Sequence, residues 1–299
     1  MMSNALKAYL DLTRIHFFFV WSLLFCSGLF LSFPQYGGFS WLLVVKAVLI
    51  AFLGFEAGFI LNDYMDRKFD EKDVEHDKLT KYWRPFGRRP LPSGEISPGK
   101  ALTLTLIFMA STSALILSLP YPNSAYVLGI MVYSYAAECF YQLKKRNQKH
   151  PIAQLIGRTD FSLFPVAGYL CNGQPDIVAV SYFLFFYPFS QAHLGLNDII
   201  DKVNDDARGM KAIPQLYGVQ GTKNWILFFT ILHVGGAALF TRLTGPISTF
   251  GIVLGLLLLF IANIRIRGTK TSEAWLRILP MLHVEMLLYV TSMIADYFI

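Results

Sequence analysis

Nine stretches of about twenty mostly apolar residues dominate this 299-residue chain, at 15–34, 41–61, 101–119, 124–142, 152–172, 177–195, 224–241, 246–264 and 275–298. A helix needs about 20 such residues to cross the hydrocarbon core of a bilayer, where its backbone groups must be satisfied internally. The chain is 54% apolar and 15% charged, against about 25% charged in soluble domains. That balance excludes a disordered chain, a small disulfide scaffold and a nucleic-acid-binding tail. Pro120, Pro122, Pro151 and Pro175 fall between the stretches, where helices have to stop, and Pro246 opens one. The expectation is an all-α membrane protein with nine transmembrane helices, residues 1–299 forming one polytopic domain.

Lys and Arg orient these spans. Of the 26 basic residues, 22 lie before the first span or in the second, fourth, sixth and eighth loops. Arg242 is the sole basic residue in the alternate loops, and Lys46, Arg158 and Arg277 fall within spans. The N-terminus and the even loops are therefore expected in the cytoplasm and the C-terminus on the opposite side. The net charge of +6 then reports orientation and contact with anionic lipids, with no role for nucleic acid. Lys7 and Arg14 precede an apolar run from Phe17 to Phe33 that is too long for a signal-peptide core and lacks a cleavage site, so the first span is expected to be retained. Cys26, Cys139 and Cys171 lie in apolar surroundings without metal-ligand spacing.

Carboxylates are scarcer and cluster. Asp63, Asp66, Asp70, Glu71, Asp73, Glu75 and Asp77 follow the second span, and Asp198, Asp201, Asp205 and Asp206 follow the sixth, together 11 of 20. Both clusters begin with N-D-x-x-D-x-x-x-D, at 62–70 and 197–205. Four spans separate the copies, so both have one orientation. A parallel repeat, two pseudo-repeated halves of four helices plus one, would bring them to one face of a bundle. On a helix, Asn62, Asp66 and Asp70 share a stripe, as do Asn197, Asp201 and Asp205. Stacked carboxylates repel unless a cation lies among them, and hard oxygen ligands suit Mg²⁺, which completes its shell with phosphate and water. Residues 62–100 and 196–223 are expected as cytoplasmic cap loops carrying these motifs.

Basic groups follow. Arg84, Arg88 and Arg89 precede Pro90-Leu91-Pro92-Ser93-Gly94, and guanidinium groups offer bidentate donors to phosphate. Tyr141 and Lys145 are one helical turn apart and can face one spot. His16, His193, His233 and His283 show no paired spacing and read as packing histidines. Glu56, Glu138, Asp160 and Glu285 fall within spans, so each must face a cavity or a partner, with Arg158 available to Asp160 or Glu138.

Taken together, these residues resemble the UbiA-type intramembrane prenyltransferases. The marks are N-D-x-x-D-x-x-x-D at 62–70, R-P-L-P-S-G at 89–94, Y-x-x-x-K at 141–145, the second motif running into Gly209, Lys211 and Pro214, and R-x-H at 14–16. The resemblance covers most of the chain and implies a bundle around a central cavity. There Mg²⁺, in two or more ions, bridges the diphosphate of a prenyl donor. It implies Asn62, Asp66, Asp70, Asp198, Asp201 and Asp205 as metal ligands, the five aspartates being catalytic. It also implies Arg14, Asn62, Arg67, Lys68, Arg88, Arg89, Tyr141, Lys145, Asn197 and Lys202 in substrate binding. The stretch 71–88 is longer and more charged than the family's usual link, which leaves the diphosphate contact open among Arg84, Arg88 and Arg89. The implied reaction passes a prenyl group through an allylic carbocation to an aromatic or lipid-precursor acceptor, with Asp198 a candidate to orient that acceptor. An ion-coupled transporter is the rival, but transport sites lie near the bilayer midplane and both motifs lie at helix ends. A CDP-alcohol phosphotransferase would carry D-G-x-x-A-R, which is missing.

Overall fold

The computed structural model describes residues 2–299, which form helices and no strand. The α-helices are α1 (Asn4–Leu12), α2 (Phe18–Tyr36), α3 (Trp41–Asp70), α4 (Leu79–Trp83), α5 (Pro98–Leu117), α6 (Asn123–Lys144) and α7 (Ile152–Gly157). They continue with α8 (Thr159–Leu170), α9 (Ile177–Ile200), α10 (Lys202–Ala207), α11 (Ile213–Phe240), α12 (Pro246–Gly268), α13 (Ser272–Leu276) and α14 (Leu279–Asp296). Seven stretches are long and apolar enough to cross a membrane: Ile15–Tyr36, Trp41–Asp70, Pro98–Leu117, Ile177–Ile200, Ile213–Leu243, Pro246–Gly268 and Ser272–Asp296. The other two expected spans are α6 and the α7–α8 pair. Helix α6 carries Ser134, Glu138 and Gln142, and the pair is broken at Arg158, leaving α8 only 12 residues long.

Each long helix packs on its chain neighbour, and α14 returns to α2. A further contact between α2 and α8 closes a smaller ring of α2, α3, α6 and α8. Glycine makes that contact possible. A Cβ on Gly28 would lie 1.9 Å from the Pro165 carbonyl oxygen, and one on Gly168 would lie 1.8 Å from that of Phe25. Small residues let helix backbones approach this closely. Phe25, Phe33, Tyr182, Phe185, Phe186, Phe189, Phe240 and Tyr289 are buried in one core cluster.

The two acidic segments leave their helices differently. Helix α3 starts at Ser40, whose hydroxyl accepts from the Leu43 amide, and runs 30 residues without interruption. At 1.5 Å per residue that is about 45 Å, longer than the roughly 30 Å hydrocarbon core, and residues 62–70 are ordered helix to its last turn. Helix α9 is capped by Asp176 and stops at Ile200. Asp201 is its terminal residue, α10 begins at Lys202, and Gly209 turns the chain with φ +70°. The continuous stripe expected for Asn197, Asp201 and Asp205 is therefore broken at its middle residue, while that of Asn62, Asp66 and Asp70 is intact.

Candidate active site

A cavity of about 400 Å³ lies inside the smaller ring and reaches both acidic segments. Its inner wall is apolar and aromatic: Trp21 and Phe25 from α2, Phe55 and Phe59 from α3, and Phe161 and Phe164 from α8. Trp21 stacks on Phe55 with ring centroids 4.2 Å apart. The outer end holds Asn62, Asp66 and Asp70, then Asn197, Asp198, Asp201 and Asp205, with Tyr141 and Lys145 between them. Thr80 and Trp83 of α4 and, outside the helices, Arg84, Arg89 and Arg208 also line the wall.

The carboxylates are braced by cations. Asp66 accepts from Lys145 and from Arg146 at 2.7 Å. Arg89 reaches Asp70 at 2.7 Å and Asp73 at 2.8 Å. Asp63 accepts from Arg14 and Arg84, each at 2.8 Å. Arg14 also lies over the Phe59 ring at 4.0 Å and holds a φ of +44°, a left-handed conformation uncommon outside glycine. Arg208 joins the segments, reaching Asp73 at 2.5 Å, Asp70 at 3.4 Å, Asp201 at 3.2 Å and Asp205 at 3.6 Å. The two motifs, 135 residues apart, therefore converge on one guanidinium.

Burial pushes the Asp205 carboxyl well above the usual carboxylate range, its neighbour Asp201 adds to that push, and Arg208 only partly opposes it. Burial raises Asp201 as well, against the pull of Arg208 and Arg89. Burial also works against the charge on Arg208, but the hydrogen bond to Asp73 and the charges of Asp201 and Asp70 outweigh it and hold its proton more firmly.

The donor set suits a hard divalent cation, although among the described residues no three His, Cys, Asp or Glu side chains are already gathered around one point. The Asn197 Oδ1 is buried and has no hydrogen-bond partner. Asn62 donates its amide to Glu138 at 2.9 Å, which leaves its carbonyl oxygen for a cation. Eight carboxylates line the cavity against six cationic side chains, so the wall has an acid excess for added positive charge to offset. Such all-oxygen sites favour Mg²⁺ and similar ions.

Several expected site residues stand apart. Arg67 folds back, its Nη1 donating to the Tyr64 carbonyl at 2.5 Å with the guanidinium over the Tyr64 ring, and Lys68 is exposed. At about 100° per residue, positions 67 and 68 turn away from the stripe that Asp66 shares with Asp70. Arg88 pairs with Glu95 at 2.7 Å and Lys202 with Asp206 at 2.6 Å, both outside the cavity wall. Arg84 and Arg89 line the wall instead. Arg158 serves neither Asp160 nor Glu138. It donates to Asp198 at 2.5 Å, because the break before α8 aims it at α9. His233 is satisfied by the Phe185 carbonyl and the Tyr289 hydroxyl, as a packing histidine should be. His193 is not: it lines the cavity with both ring nitrogens unpartnered.

Arg208, Asp63 and Arg158 were not singled out from sequence as site residues. The Arg208 signal was its position three residues after Asp205, and for Arg158 it was a charge inside an apolar stretch. Asp63→Ala would strand two buried guanidinium groups, a loss expected to cost about 3–5 kcal/mol. A large drop in the thermal midpoint of the detergent-purified variant would show it, and a midpoint within 1–2 °C of the parent would refute it (about 1 kcal/mol corresponds to roughly 2–4 °C in a chain this long).

Fold and cavity define a polytopic helical membrane protein with an acidic, cation-braced pocket opening onto an aromatic wall. Residues 19–286 match the UbiA prenyltransferase family model, and the chain belongs to that family. It is 29% identical over 147 residues to protoheme IX farnesyltransferase of Rhizobium rhizogenes, covering 48% of this chain and 45% of that protein. It is 28% identical over 174 residues to digeranylgeranylglyceryl phosphate synthase of Methanospirillum hungatei, covering 56% and 54%. The matches thus span about half the length of these relatives. Among solved structures, a UbiA homolog from Archaeoglobus fulgidus bound to GPP and Mg²⁺ superposes with a TM-score of 0.72 at 20% identity, covering 98% of this chain and all of the other, a likeness of fold.

Proposed function

We propose that this protein transfers a prenyl group from an isoprenyl diphosphate to an aromatic or lipid-precursor acceptor within the membrane. The observation that carries this reading is one cavity whose outer end is ionic and whose inner wall is aromatic and apolar. That is the polarity of a diphosphate ester on a hydrocarbon tail. Membership of the UbiA family and relatives named for farnesyl transfer and digeranylgeranylglyceryl phosphate synthesis support it.

In this reading α6 and the α7–α8 pair complete nine crossings, two halves of four helices plus one. The N-terminus and the cap loops 62–100 and 196–223 face the cytoplasm, where Lys and Arg concentrate, and the C-terminus faces away. The chain forms a single polytopic unit.

Asn62, Asp66 and Asp70 hold Mg²⁺ on one side, and Asp198, Asp201 and Asp205 on the other. Bound there, two or more Mg²⁺ ions supply positive charge to the diphosphate oxygens. Arg14, Arg84, Arg89 and Lys145 add charge-assisted donors that strengthen as the leaving group gains charge. The Tyr141 ring, whose centroid lies 5.0 Å from the Lys145 Nζ, fixes that ammonium. The allylic C–O bond breaks with both electrons leaving on the diphosphate. Trp21, Phe55, Phe59, Phe161 and Phe164 exclude water from the resulting carbocation and present ring faces, each worth about 0.5–2 kcal/mol to a cation. The acceptor's electron pair forms the new bond, and its displaced proton passes to the diphosphate or a carboxylate. His193 and Trp21 Nε1, both without partners, are placed to meet polar groups of the acceptor.

The test is incubation of the purified protein in nanodiscs with radiolabelled geranyl, farnesyl or geranylgeranyl diphosphate. Acceptors would be 4-hydroxybenzoate, protohaem and geranylgeranylglyceryl phosphate. A labelled product that requires Mg²⁺ and disappears with chelator is expected. No product across this panel, with solute flux appearing in reconstituted vesicles, would replace the reading with a transporter.

A further inference from the structure

Among the described residues, Arg208 is the one cationic side chain that contacts carboxylates of both acidic segments. Its Nε serves Asp73 and Asp70, and its Nη1 serves Asp201 and Asp205. Its Nη2 is buried and has no hydrogen-bond partner, although the residue lines the cavity. Buried donors are nearly always paired. A strut between the two halves has no use for that third donor, whereas an anion in the cavity that Arg208 lines would pair it. The guanidinium is planar, with its donors in a fixed fork. Once Nε and Nη1 are engaged by carboxylates, the orientation of Nη2 is set as well.

We propose that Arg208 is a diphosphate-binding residue: the carboxylates of both halves orient its guanidinium, and Nη2 donates to a phosphate oxygen of the prenyl diphosphate. This rests on the prenyl-transfer reading and deepens it by assigning a donor that bridges the halves. A lysine at 208 would keep the charge but, as a point ammonium, would not hold both acidic segments and present a third donor.

Isothermal titration of the full chain in nanodiscs with inorganic pyrophosphate and Mg²⁺ tests it, with Mn²⁺ binding followed by electron paramagnetic resonance. Arg208→Gln is expected to weaken pyrophosphate binding about 10-fold to 100-fold, the range for a charge-assisted hydrogen bond. Its Mn²⁺ affinity should hold or rise, since a positive charge has left the neighbourhood of Asp201 and Asp205. Arg208→Lys should recover part of the pyrophosphate affinity, and it carries the test if Arg208→Gln does not fold. Pyrophosphate affinity within twofold of the parent would overturn the proposal. So would parallel losses of thermal midpoint, Mn²⁺ binding and pyrophosphate binding, which would mark Arg208 as a strut. Failure of the parent protein to bind Mg²⁺ with pyrophosphate would instead remove the prenyl-transfer reading itself.

Discussion

Asp66→Ala combined with Asp201→Ala is expected to lower prenyl transfer by at least about a thousandfold. Each change removes a hard oxygen donor from one acidic segment, so on the proposed assignment neither side would hold a divalent cation at full strength. Lewis-acid stabilisation of a departing phosphoryl oxygen is worth several kcal/mol, and about 4 kcal/mol is a thousandfold in rate. Stability must be separated from chemistry here. Asp66 is the carboxylate partner of Lys145 and Arg146, so alanine leaves both cations uncompensated, at a cost of about 3–5 kcal/mol for such a buried pair. Adding Lys145→Met to the double variant should restore much of the thermal midpoint without restoring transfer. Transfer within tenfold of the parent in the double variant, with protein of normal midpoint, would remove these carboxylates from the chemistry.

Gly168→Val should be the most damaging single substitution for folding. The Cβ position at Gly168 is 1.8 Å from the Phe25 carbonyl oxygen, and the reciprocal position at Gly28 is 1.9 Å from that of Pro165. Both obstacles are backbone atoms, so no rotamer change relieves them. Helices α2 and α8 would have to separate, opening the ring that encloses the cavity. Overpacking costs about 1–3 kcal/mol when side chains can shift, and more when they cannot. The expected cost is therefore about 3 kcal/mol or more, read as loss of monodisperse protein or a collapsed thermal midpoint in detergent. Gly129→Ala is the control, because a Cβ at Gly129 meets nothing within 4 Å. A Gly168→Val protein as stable as that control would show that the α2 and α8 backbones do not meet at van der Waals distance.

The helices and both motifs were legible in the chain because their causes are local. An apolar run of about 20 residues has to be helical in lipid, whatever surrounds it. The stripe of Asn62, Asp66 and Asp70 follows from helical periodicity alone, and α3 carries it intact. The second stripe crosses a helix end at Asp201, where α9 stops at Ile200, and nothing in the i, i+4 spacing announces that stop, yet Asn197, Asp201 and Asp205 still line one cavity. Arg67, Lys68, Arg88 and Lys202 were expected at the substrate from their proximity in sequence to the motifs. Helical rotation and local acids such as Glu95 and Asp206 draw them away. Tyr141 and Lys145, one turn apart on a regular helix, met as expected.

By itself the chain determined its solvent, its helices, its family marks and the two acidic segments, since each depends on residues within a few turns of one another. Tertiary structure alone decided which cation answers which carboxylate. Arg14 and Arg84 share Asp63, Arg158 turns to Asp198, and Arg208 bridges Asp70 and Asp201. Buried charge must be compensated by whatever charge the packing brings near, and the helices on either side of the cavity are brought together by contacts, such as Gly28 against Pro165, that lie far apart in the chain.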